Sequence, residues 1–192
     1  AVQLNRMFWL GISLRHSFGF EVLLVCCDVA SSNRTFYTMN TNNPLHSECL
    51  NPFSNYPIFF MSDPPHLMKK LRNNLFNSGF NHKRFTRKMM NNENYILWDH
   101  VNDVYKREQS RNLYVTDLRS SHINLDNLSK MRVKLAVQTL SQKVASEMSK
   151  CDDDNTKATQ NYITTCSKVW SVFNSPKPLR GKDAEIISLL DD

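Results

Sequence analysis

The chain has 192 residues, 41% of them hydrophobic, and its 24 Lys+Arg against 18 Asp+Glu leave a net charge of +6. That length can bury one good core or two small ones, and the apolar content with 11 Phe excludes wholesale disorder. No stretch approaches the ~20 apolar residues of a bilayer span, nothing near the start has the pattern of a secretory signal, and the four glycines, Gly11, Gly19, Gly79 and Gly181, cannot make a GxxxxGK or GxGxxG phosphate loop.

The mild basic balance favours a polyanionic partner. The five cysteines are odd in number and lack zinc-ligand spacing, which fits a reducing intracellular or nuclear compartment. A start at Ala1 rather than Met suggests a piece of a longer product.

In chain order, residues 4–16 carry Met7, Phe8, Leu10, Ile12 and Leu14 and suit a short helix. Residues 19–27 form an apolar run bounded by Gly19 and Asp28, which predicts a buried parallel strand. Residues 31–39 predict a helix capped by Ser31 or Ser32, and the Asn- and Pro-rich residues 40–56 a loop. A second strand over 57–62 stops at Asp63, and Pro64-Pro65 open a basic helix to Phe76 with Leu67, Leu71 and Leu75 inward. Pro is welcome in a first helical turn, so Asp63 reads as the N-cap. Two strands thus end in an acid before a helix start, the place where open α/β sheets hold ligands. That pairing points to a metal or phosphate site; a plain helix cap is the bland alternative for each aspartate.

Beyond Asn77 the character changes. Residues 77–92 form a basic loop or weak hairpin with Lys83, Arg84, Arg87 and Lys88 beside Phe80 and Phe85, a composition able to contact DNA phosphates and stack on a base, or simply to be solvated. Helical periodicity then covers 93–108, 124–150 and 156–174. In the first of these, Asp103 and Arg107 are spaced to pair. The acidic residues 151–155 make a linker, Pro176 and Pro178 stop the last long helix, and a short helix fits 182–190. His66 and His122 read as local structural partners, and Trp98 and Trp170 as core. A small α/β piece therefore leads into an all-helical piece.

Four stretches carry a family resemblance: residues 28–34 (DVASSNR), 63–73 (DPPHLMKKLRN), 118–144 (LRSSHINLDNLSKMRVKLAVQTLSQKV) and 170–175 (WSVFNS). In this order the chain resembles P element-type transposases, often joined to THAP DNA-binding domains. The resemblance implies a partial RNase H-like α/β domain over 1–64 and a mainly helical GTP-binding insertion over 65–192. It implies two-metal phosphoryl transfer with Mg2+ in a complete parent, DNA and GTP as partners, nuclear location and no membrane; homo-oligomeric assembly is compatible with it. Asp28 falls on the second catalytic, metal-binding acid, with the other acids expected outside residues 1–192. Asp63 and Lys69 fall on GTP-binding positions, with Asn73 beside them. Lys83, Arg84, Arg87 and Lys88 are the candidate DNA contacts. One departure is Val29, where the family typically has Gly; it favours, as an alternative, a domesticated, non-enzymatic DNA- or protein-binding module.

Overall fold

The computed structural model describes residues 1–28, 30–41, 47–80, 87–91, 93–150 and 154–176, in two compact units, Ala1–Leu67 and Met68–Asp192. Val29, Lys83, Arg84 and Phe85 lie outside the described residues, as do Pro178 and the helix expected over 182–190. No helix among the described residues is long and apolar enough to cross a membrane.

In the first unit α1 (Val2–Ser17) is followed by β1 (Leu24–Cys27), α2 (Ser31–Asn40), β2 (Glu48–Leu50) and β3 (Pro57–Ser62). The strands pair in the order β1-β3-β2, with β1 parallel and β2 antiparallel to β3. On β3 the side chains alternate, Ile58 and Phe60 buried and Phe59 43% exposed, because successive strand residues point to opposite faces. The buried side packs aromatic rings: Phe36 meets Phe8 and Phe60 edge to face at 5.0 and 5.7 Å. Asn40 ties the helices together, accepting from Trp9 Nε1 at 2.9 Å and donating to Asn5 Oδ1 at 2.8 Å.

Two expectations need correction here. The first strand covers only residues 24–27 and is a sheet edge, with Leu24 52% exposed and Cys26 exposed. Among the described residues it has a neighbour on one side alone, so its apolar run does not make it central. The residues expected as loop contain β2, whose three residues Glu48–Leu50 pair with β3 despite lacking an alternating pattern long enough to read.

The second unit takes α3 (Pro64–Phe76) from Met68 onward, then the hairpin β4 (Met89–Asn91) and β5 (Asn94–Ile96), and α4 (Trp98–Arg111). Four short helices follow: α5 (Ser120–Ile123), α6 (Asn127–Met131), α7 (Val133–Thr139) and α8 (Gln142–Met148); a one-turn helix Asp154–Thr156 leads into α9 (Lys157–Phe173). Met68, Leu75, Trp98, Val101, Val104, Leu140, Val144, Met148 and Ile163 form the core. Burial pushes the Cys166 thiol in that core up to about 12, which leaves it an inert packing group.

The buried face of α3 in this unit is Met68, Arg72, Leu75 and Phe76, with Leu71 only partly covered, so it is turned from the expected leucine stripe. The helix expected from residue 93 begins at Trp98, since Asn94–Ile96 are taken by the hairpin, and it ends at Asn112 in the left-handed region (φ 51°). Arg107 does not pair with Asp103; it donates to Glu147 O at 3.0 Å. The single helix expected over 124–150 is instead cut at Arg132 and Ser141, both extended (ψ 114° and 155°). Asp126 starts α6 by accepting from Ser129 N at 2.6 Å. Periodicity runs on across these breaks because each short helix still turns an apolar side to one core.

Glu108, near the end of α4, is buried, and its carboxylate accepts from Val115 N (3.0 Å), Thr116 N (2.8 Å) and Thr116 Oγ1 (2.7 Å). It fastens the chain as it leaves the helix. Removing it strands two backbone donors, so Glu108→Ala is expected to cost about 3 kcal/mol in urea unfolding followed by tryptophan fluorescence.

Candidate functional site

The two aspartates singled out in the sequence sit at neighbouring strand ends. Cys27 lies opposite Ser62 in the parallel register, and Asp63 N donates to Cys27 O at 2.7 Å, carrying the ladder one residue further. Adjacent strands lie about 5 Å apart, so Asp28 and Asp63 leave the sheet side by side. Tyr37 holds this end: its hydroxyl donates to Met61 O at 2.7 Å and accepts from Cys27 N at 3.0 Å. Burial, then the Cys27 contact, pushes the Tyr37 phenol well above its ordinary value, so it stays a neutral donor.

Both carboxylates are engaged locally. Asp28 Oδ1 accepts from Ala30 N at 2.9 Å and from Asn33 Nδ2 at 2.7 Å, which organises the start of α2. The expected Ser31 or Ser32 cap does not form: the N-cap is Ala30, without a side-chain bond. Asp63 Oδ2 accepts from His66 N at 3.1 Å and meets His66 Nδ1, as an N-cap should. Among the described residues no three His, Cys, Asp or Glu side chains come together in a way that could hold a metal ion. Two divalent ions need more oxygen ligands than this pair supplies, so the residues present do not make a two-metal centre.

On α3, Lys69 is half-buried and makes no ion pair among the described residues. Asn73, one turn on, is drawn into the fold: its Oδ1 accepts from Arg72 Nε at 2.8 Å and its Nδ2 donates to Lys130 O at 3.5 Å. Arg72 is fully buried, and its Nη2 donates to Ser129 O (3.2 Å) and Lys130 O (3.0 Å), the last carbonyls of α6. Burial lowers its pKa to about 10, which still leaves it charged at neutral pH. Sequence reasoning does not place Arg72 inside, because it gives the inward face of this helix to Leu67, Leu71 and Leu75. The signal was its register, four residues after buried Met68 and three before Leu75.

The basic loop is brought together only in part. Arg87 Nη1 donates to Asn74 Oδ1 at 2.8 Å, and Lys88 Nζ lies 4.8 Å from the Phe80 ring centre. Both side chains are exposed yet already have intramolecular partners.

His122 is structural, as its position suggested. It is 2% exposed; Nδ1 accepts from Arg119 N at 3.0 Å, so Nε2 carries the proton and donates to Gln138 Oε1 at 3.1 Å. Burial lowers its pKa from 6.5, the charges of Arg72 and Arg119 add to this, and the two hydrogen bonds oppose it.

A family model described as TNP-like, GTP-binding insertion domain matches residues 65–185, well over half of the chain, and the chain belongs to that family. Its sequence is of the P element transposase type. The Transposable element P transposase of Drosophila melanogaster is 26% identical over 168 residues, covering 83% of this chain and 21% of that protein. The chain thus spans about a fifth of that curated relative. A solved structure, the Drosophila P element transposase strand transfer complex, superposes with a TM-score of 0.74 at 20% identity, over 97% of this chain and 44% of that chain. The shared fold is mixed α/β, mostly helical with small sheets.

The geometry at His122 sets a pH response. A lowered folded-state pKa means that the unfolded chain binds more protons, so this contribution is complete above pH 6.5 and fades as pH falls below it toward the folded-state value. Urea midpoints measured just above and well below pH 6.5 are expected to fall more for the parent than for His122→Gln.

Proposed function

We propose that the chain binds GTP through α3, and that within a longer transposase this nucleotide helps to organise DNA for strand cleavage and joining. The observation that carries the reading is Lys69: a half-buried cation without an ion pair among the described residues, on a helix whose residues 64–76 include no acid, inside the segment matched by the GTP-binding family. An ammonium on a flexible stem is suited to a phosphate, and a helix N-terminus adds roughly 0.3–1 kcal/mol for an anion. Asp63 and Asn73 complete the proposed nucleotide set, Asp63 either holding the helix start or reading a guanine edge, and Asn73 acting through its hold on Arg72. In this reading the first unit is part of an RNase H-like sheet, the protein works in the nucleus, and Lys83, Arg84, Arg87 and Lys88 face DNA. Mg2+ would belong to a complete parent with Asp28 among its ligands.

A second reading is favoured by Val29 in the acid's motif and by the commitment of Asp28 to Ala30 and Asn33. Here the chain is a domesticated DNA- or protein-binding module in which Asp28 only organises α2. Isothermal titration with GTP and ATP separates the two. The first expects binding in the micromolar-to-millimolar range with a guanine preference, weakened about tenfold by Lys69→Ala, the loss of one charge-assisted contact. Equal or absent binding of both nucleotides supports the second.

A further inference from the structure

A cleft of about 470 Å3 lies between α4 and the segment that follows it, within the roughly 300–1,000 Å3 of ordinary ligand pockets. One wall carries Tyr105 and Gln109 from α4; the other carries Tyr114, Asp117, Arg119 and Ser120. None of these belongs to the nucleotide set on α3.

The tyrosines are presented rather than buried. Glu108 fixes the backbone of Val115 and Thr116, and Tyr114 just upstream is 59% exposed. Facing it, Tyr105 is half-buried, and its hydroxyl oxygen accepts from Gln109 Nε2 at 2.7 Å. That bond leaves the Tyr105 proton free to donate to an acceptor in the cleft.

The charges have an asymmetry. Asp117 is held by Lys143 Nζ at 3.3 Å, whereas Arg119 is exposed and makes no ion pair among the described residues. The uncompensated charge of the cleft is therefore positive and planar, and a guanidinium matches a phosphate in a bidentate fashion. Aromatic faces call for a flat partner, and one cation at the rim calls for an anion on the same molecule. A proline-rich peptide would use the tyrosines but has no need of Arg119.

We propose that this cleft binds a nucleoside phosphate, free or as an unpaired unit of a DNA strand, with the base stacked on Tyr114 and the phosphate at Arg119. The test uses the full chain with two probes: a fluorescently labelled short oligothymidine, read by anisotropy, and thymidine monophosphate, read by calorimetry. Tyr114→Ala is expected to weaken binding about tenfold, in the range of one base–aromatic stack, while Tyr114→Phe retains it. Arg119→Gln is expected to reduce the salt slope of oligonucleotide binding by about 0.7, the signature of one single-strand phosphate. Lys69→Ala is expected to leave both probes unaffected, which keeps this result separate from that for GTP. Binding of the oligonucleotide alone identifies a strand unit, and binding of both probes identifies a general nucleoside phosphate pocket. The proposal is overturned if neither probe binds the parent, if Tyr114→Ala with an unchanged thermal midpoint binds as the parent does, or if Tyr114→Ala loses only a proline-rich peptide.

Discussion

The second unit is organised around a guanidinium that no carboxylate among the described residues meets. Arg72 is fully buried on α3; backbone carbonyls at the end of α6 meet its Nη2 and the side-chain oxygen of Asn73 meets its Nε, while Nη1 is buried without a hydrogen-bond partner among the described residues. A buried charge is costly, and each hydrogen bond it makes offsets part of that cost. The interruption at Arg132 supplies two acceptors for Nη2, since a helix end leaves its last carbonyls without intrahelical partners. The helix break, the register of α3 and the constraint on Asn73 meet at this one side chain. At nearby His122 two cations press on a buried imidazole, which is held neutral between Arg119 and Gln138.

The first unit rests on a different device. Its parallel pair β1–β3 brings two aspartates to one sheet end, where Tyr37 bridges the strands by their backbone. Each carboxylate is then consumed by the helix start that follows it. Such a pair can either preserve an ancestral acidic site or serve only as two caps, and its hydrogen bonds are the same in both cases. What distinguishes a metal centre is further oxygen ligands, and these are not among the described residues.

Within unit two, aromatic and charged side chains are divided between core and rim by the backbone that carries them. Glu108 is a buried acid whose carboxylate holds the backbone of Val115 and Thr116. By doing so it fixes the wall on which Tyr114 and Arg119 stand. A structural acid and a binding surface are linked here through a few residues of chain. Neither could be recognised in isolation.

Much was legible in the chain itself. Asp63 before Pro-Pro specified a strand end and a helix start, because Pro lacks the donor that a strand needs and a first helical turn does not. The apolar run in 57–62 and the apolar spacing in 156–174 marked β3 and α9. The family could be recognised from four ordered motifs, since those residues are local in sequence. Tertiary structure decided the rest. It made β1 an edge, placed Arg72 rather than Leu71 in the core, cut one periodic run into three helices, and gave Glu108 its three donors. These outcomes depend on partners far along the chain, and periodicity records which side of a residue is apolar but not which neighbour will cover it.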